Sequence, residues 1–125
     1  MKAGLQEINE TTGVWGSMLC NNQGEIIENL SPPALNKPSL ENISRHVVEL
    51  LSGTAENLAG LKEVVLHFRD RKVLALDLKQ AVLIVICTPS VDIPLLRMSV
   101  NVVLARWEDD AAVQKQLKAQ FVERL

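Results

Sequence analysis

The sequence predicts the α/β (α+β) class: an antiparallel sheet sandwiched between helices. Three observations carry this. Strand-like runs come in groups joined by short polar turns. Amphipathic stretches of helical period separate those groups. One run, Ala81 to Cys87, is apolar at every position, the pattern of a strand covered on both faces. Hairpin groups alternating with helices imply an antiparallel sheet with helices on its faces.

The totals bound the rest. A chain of 125 residues fits one domain, and 47% hydrophobic residues suffice for a buried core. A net charge of -2 and a pI near 5.7 argue against a nucleic-acid binder, which would show a basic surface. The stretch Met1 to Asn9 has one lysine and no apolar core of a signal peptide. No apolar run is long enough to span a bilayer. A cytoplasmic location, with no membrane and no nucleic-acid partner, is the expectation.

Each element has its own signal. Leu5 and Ile8 stand at helical spacing and mark a short helix stopped near Gly13. Val14 to Cys20 reads as a strand, in which Gly16 signals a bulge or a close backbone approach. Asn21-Asn22-Gln23-Gly24 is turn chemistry, and Glu25 to Leu30 completes a hairpin. Pro32, Pro33 and Pro38 make Ser31 to Pro38 a connection. Ser39 is the expected N-cap of the next helix, with Glu41 in its first turn. That helix puts Leu40, Ile43, Val47, Leu50, Leu51 and Leu58 on one broad face, is weakened at Gly53 and stops at Gly60.

Three strands follow. Leu61 to Phe68 alternates in part and is expected at an edge of the sheet. Arg69 to Lys72 is a charged turn, Val73 to Leu78 the next strand, and Lys79-Gln80 a tight turn before the central strand at Ala81 to Cys87. Asp92 caps a last helix, with Pro94 in its first turn. Ile93, Leu96, Val100, Val103, Leu104 and Trp107 form its main stripe. Leu95, Met98 and Val102 lie beside it, so the apolar surface is wider than one buried face requires. Beyond Glu108, Val113, Leu117 and Phe121 at four-residue spacing mark a terminal amphipathic helix, either folding back or inserting into a groove elsewhere. The predicted order is α-β-β-α-β-β-β-α plus this extension.

The sequence offers little chemistry. It has no phosphate-cradling Gly-x-x-x-x-Gly-Lys loop, so it is not expected to be a GTPase itself. Cys20 and Cys87 lie in apolar strands, where a thiol usually acts as a small hydrophobe; a redox pair requires neighbouring strands. His46 and His67 stand alone, and pairing His67 with either cysteine lacks an oxyanion feature. No zinc-like spacing occurs. No catalytic residue, cofactor or metal ligand is expected, and the enzyme expectation is negative. The turn at Arg69 to Lys72 reads first as a solvated tip, second as a docking corner.

The ordered segments resemble the roadblock/dynein-light-chain family. Gly13-Val14-Trp15-Gly16-Ser17-Met18-Leu19-Cys20-Asn21-Asn22-Gln23-Gly24-Glu25-Ile26-Ile27 looks like its opening hairpin. Leu61-Lys62-Glu63-Val64-Val65-Leu66 is similar to its third strand, Ala81-Val82-Leu83-Ile84-Val85-Ile86 to its central strand, and Ile93-Pro94-Leu95-Leu96-Arg97 to the start of its last helix. The resemblance covers roughly Leu5 to Trp107, giving a roadblock-like domain at 1–107 and a helical extension at 108–125. The departures are the proline-rich connection, Gly53 and the bulky Trp15. The resemblance implies a profilin-like fold with five antiparallel strands, the second helix on one face and the first and last on the other. It also implies a homodimer joined through the second helix and third strand, with Ile43, Val47, Leu51, Val65 and His67 at the interface.

Family members regulate or scaffold small GTPases or serve as dynein light chains. The function expected from the resemblance is therefore a non-enzymatic homodimeric interaction module for a small Ras-like GTPase or related protein. Arg97, Arg106 and Trp107, on one helix, are the candidate partner-facing residues, because Trp and Arg are enriched at binding hot spots. The alternatives are a small-molecule-sensing domain of profilin or PAS shape and a light-chain subunit of a larger motor or scaffold complex.

Overall fold

The run expected at the centre of the sheet is there: Val82–Cys87 is strand β5, and all six of its residues are buried. The computed structural model describes residues 1–57 and 63–120, with side chains at 1–51 and 63–119. The other elements are α1 (Lys2–Asn9), β1 (Val14–Cys20), β2 (Ile26–Leu30), α2 (Lys37–Asn57), β3 (Glu63–His67), β4 (Lys72–Asp77), α3 (Ile93–Asp109) and α4 (Ala111–Gln120). The five strands form one sheet in the order β2-β1-β5-β4-β3, and every neighbouring pair is antiparallel. As the sequence led us to expect, β3 is an edge.

Alternation along the strands separates two cores. Leu83, Val85 and Cys87 join Leu19 and Leu74 beneath α1, α3 and α4, where Leu5, Ile8, Leu96, Val100 and Val103 pack. Val82, Ile84 and Ile86 join Met18, Cys20, Val73 and Ala75 beneath α2, where Leu40, Val47, Val48 and Leu51 pack. Complete burial of each such side chain favours folding by about 1.5–3 kcal/mol. A one-residue slip of β5 would exchange its two faces, so the register is strongly held.

The first hairpin is built by Asn21, which is buried. Its Oδ1 accepts the backbone N–H of Gln23 at 2.9 Å and of Glu25 at 3.0 Å. That is the side-chain turn mimicry asparagine favours. Both readings of Gly16 hold. The pairing of β1 with β5 shifts between Val14 and Gly16, and a Cβ at Gly16 would lie 2.9 Å from Ser31 Cα.

One cap differs from expectation. The second helix starts at Lys37, and its first turn is capped by Asn36, whose Oδ1 accepts from Ser39 N–H at 3.0 Å. Ser39 lies inside the helix. Pro38 is tolerated there because N–H groups of the first turn have no intrahelical partner. The helix runs through Gly53 to Asn57. Leu58, Gly60, Leu61 and Lys62 lie outside the described residues.

The last helix begins as expected, with Asp92 Oδ1 accepting Leu95 N–H at 3.0 Å and Pro94 in the first turn. The chain then leaves helical geometry at Asp110 (φ −95, ψ 104). The Asp110 carboxylate accepts from Ala112 N–H at 3.0 Å and Val113 N–H at 3.2 Å, starting α4. The terminal stripe therefore folds back on its own domain. Val113 and Leu117 are buried in the α1/α3 core; Phe121 lies outside the described residues.

Candidate interaction surfaces

Several residues expected at interfaces serve the core instead. Val47 and Leu51 are buried beneath α2 against the sheet of their own chain, so neither offers a side chain to another copy. The apolar face of α2 is consumed by the strands it covers. Ile43 is half-buried at the border of that face. Trp107 is likewise a core residue, only 6% exposed. Its ring lies under α1 at Gly4, where an added Cβ would sit 2.7 Å from Cζ2. Gln114 Nε2 donates to Trp107 O at 2.8 Å, fastening α4 over the same corner. Nothing in the sequence pattern links Gly4 to Trp107, far apart near the two ends of the chain.

The two arginines remain at the surface but are paired within the chain. Arg97 holds Glu63 of β3 through two contacts, Nε to Oε1 at 2.8 Å and Nη2 to Oε2 at 2.6 Å. Arg106 Nη2 reaches both carboxylate oxygens of Glu7, at 2.8 and 2.7 Å. The Arg106 guanidinium holds the Glu7 carboxyl below its ordinary range, chiefly by hydrogen bonding. In the β3–β4 turn Arg71 pairs with its neighbour Asp70 at 3.2 Å, which suits a solvated tip.

The thiols are inert by placement. Strands β1 and β5 are neighbours, but Cys20 faces Val82 and Cys87 faces Val14, at opposite ends of the pair and on opposite faces of the sheet. Burial pushes the Cys20 thiol up to about 12 and the Cys87 thiol up to about 11. Neither is a thiolate near neutral pH. His67 faces Lys72, and Lys72 faces Cys87, so the histidine and that thiol are two strands apart, roughly 10 Å. That is too far for a nucleophile and its base.

The sheet has edges at β2 and β3, and two of the surfaces among the described residues combine open polar or apolar groups. The first is the outer edge of β3. Phe68 N–H bonds Arg71 O at 2.9 Å, so the odd-numbered β3 residues direct their backbone groups away from β4. The N–H and C=O of Val65 and His67 therefore face outward from the sheet. Glu63 to Leu66 are only half-buried and His67 is exposed, whereas β5 is wholly buried. Phe68 at the strand end is 52% exposed, and Leu50 of α2 is exposed too. The second surface is the outer side of α3, where Leu95, Met98 and Val102 are exposed beside a groove of about 470 Å³ between α1 and α3.

This architecture is that of a known group of domains. Over 87% of this chain and 92% of the other, it superposes on a Roadblock/LC7 domain from Streptomyces avermitilis with a TM-score of 0.67 at 13% identity. The chain has the roadblock fold. MglB from Myxococcus xanthus matches with a TM-score of 0.67 at 10% identity, covering 94% and 90% of the two chains. The gliding protein mglB from Thermus thermophilus gives 0.64 at 16% identity, covering 95% and 86%. No protein-family model and no curated protein sequence matches this chain. No described helix is long and apolar enough to cross a membrane.

Proposed function

We propose that this roadblock-fold chain is a non-enzymatic, homodimeric interaction module that binds a small Ras-like GTPase and regulates or scaffolds it. The dimer reading is carried by one observation, the outward backbone groups of Val65 and His67 on the β3 edge. Unpaired edges invite strand addition unless charge, proline or a covering element blocks them. This edge has no proline, its charged Glu63 is held by Arg97, and Phe68 gives it an exposed apolar end. Pairing with β3 of a second copy about a two-fold axis would continue the sheet and bring the two α2 helices side by side. The surface of α2 that is left for this contact includes Ile43 and Leu50, with Val47 and Leu51 beneath it as core.

The GTPase reading rests on the four sequence segments that resemble the roadblock/dynein-light-chain family. A module of this kind works by differential contact with the nucleotide states of its partner. The buried, protonated thiols are consistent with a protein that performs no chemistry itself. Two measurements test the proposal. Light scattering at low protein concentration should give twice the chain mass for the wild type and the single-chain mass for His67→Pro. A Ras-like GTPase, loaded in turn with GDP and a GTP analogue, should bind the dimer with different affinity in the two states. Equal affinity for both states, or a wild-type monomer, would sink the corresponding half of the proposal.

A further inference from the structure

Helix α3 carries two apolar stripes and uses only one of them. Leu96, Val100, Val103 and Trp107 face the sheet. On the opposite side, Leu95, Met98, Val102 and Ala105 follow one another at spacings of three, four and three residues. The first three are 47%, 66% and 57% exposed, and Ala105 is exposed as well. Single exposed apolar residues are ordinary on a protein surface. Four at the spacing of alternating a and d positions form a coiled-coil seam without its second helix.

We propose that this seam is a self-association surface, on which α3 of a second copy packs antiparallel about a two-fold axis. Antiparallel pairing opposes a positions to d positions. Met98 then meets the partner's Val102, and Leu95 meets the partner's Ala105. Each contact occurs twice, and each sets a larger side chain against a smaller one, as interdigitated layers require. The charges at the flank agree with this arrangement. Glu10, Thr11 and Thr12 line the groove beside Leu95 and Ser99, and Arg106 lines its other end. The two-fold keeps both α1 helices on the same flank, so the partner's Arg106 arrives on the flank that carries Asp92 and Glu10, both acidic.

The surface lies across the sheet from α2 and does not depend on the β3 edge, so both contacts can form in one assembly. It is small. Four seam residues and their flanks fall short of the roughly 800 Å² per partner of a stable interface. The association is therefore weak and appears as protein concentration rises.

Sedimentation of the full chain across a wide concentration range tests this. The wild type should gain a concentration-dependent doubling in mass that Met98→Glu removes. That substitution should weaken the step by roughly a hundredfold or more, since each copy would carry a charge into an apolar layer. His67→Pro should lose the edge dimer yet keep the seam step, which separates failure of one contact from failure of the other. A charge swap adds a second readout: Arg106→Glu weakens the step, and adding Glu10→Arg restores it. A wild-type mass that never rises with concentration, or a Met98→Glu profile matching the wild type, would overturn the proposal and leave the seam to a different protein.

Discussion

Replacing Gly4 by alanine should destabilise this protein, although the same change stabilises an ordinary helix. In an exposed helix interior, Gly→Ala gains about 0.8–1.0 kcal/mol. Here a Cβ would stand 2.7 Å from Trp107 Cζ2 and 2.8 Å from both Cε2 and Nε1. Carbon contacts settle at about 3.5–4.0 Å, so α1 would have to retreat or the indole turn. Such overpacking costs about 1–3 kcal/mol. The net expectation is a loss of about 1 kcal/mol, or about 4 °C in Tm for a chain of this length. Urea unfolding at one fixed protein concentration, followed by tryptophan fluorescence, reads it out. The decisive control is the same change in a Trp107→Leu background. With the indole gone, Gly4→Ala should become neutral or stabilising by up to about 1 kcal/mol. Equal effects in the two backgrounds would refute the contact, as would a stabilised single variant.

Further outcomes follow from the tail and from Glu7. Leu117→Ala should cost about 2 kcal/mol or more in urea unfolding, because Leu117 is buried in the α1/α3 core, whereas Lys118→Ala, one residue on and exposed, should cost under about 0.5 kcal/mol. For the same reason, ending the chain at Trp107 should destabilise it, and a test of the terminal five residues should end at Gln120. The Glu7 carboxyl titrates below the ordinary glutamate value in the folded chain. Its contribution to stability is thus present above that ordinary value and is lost as pH falls through the lowered folded value. An NMR titration should show the depressed midpoint, and Arg106→Ala should return it to the ordinary range.

Much of the fold is legible in the sequence because the signals are local. The turn at Asn21 to Gly24, the cap at Asp92 with Pro94, and the unbroken apolar run at Ala81 to Cys87 each state their own geometry. What local signals do not settle is the choice between equal claims. Asn36 and Ser39 are both good caps, and the tolerance of a helix for Pro38 in its first turn decides for Asn36. Val47, Leu50 and Leu51 look alike on a helical wheel, yet Val47 and Leu51 face the sheet and Leu50 faces out, because only docking fixes which part of a broad stripe is inside. The residue type of Trp107 points to a partner. Gly4 and α4 bury it instead, and that contact joins the two ends of the chain, where no periodicity reaches. The two stripes of α3 can be counted in the sequence, but which one meets the sheet requires the fold.

We propose that this chain meets its own copy at the β3 edge. Multi-angle light scattering of the wild type and of His67→Pro tests it most directly. The His67 N–H points away from β4, so proline there should leave the β3–β4 ladder and the fold intact while denying a donor to an added strand. At low concentration the wild type should be a dimer and His67→Pro a folded monomer with an unchanged circular dichroism spectrum. A His67→Pro protein as dimeric as the wild type at low concentration would contradict it, as would a wild type that is monomeric at every concentration.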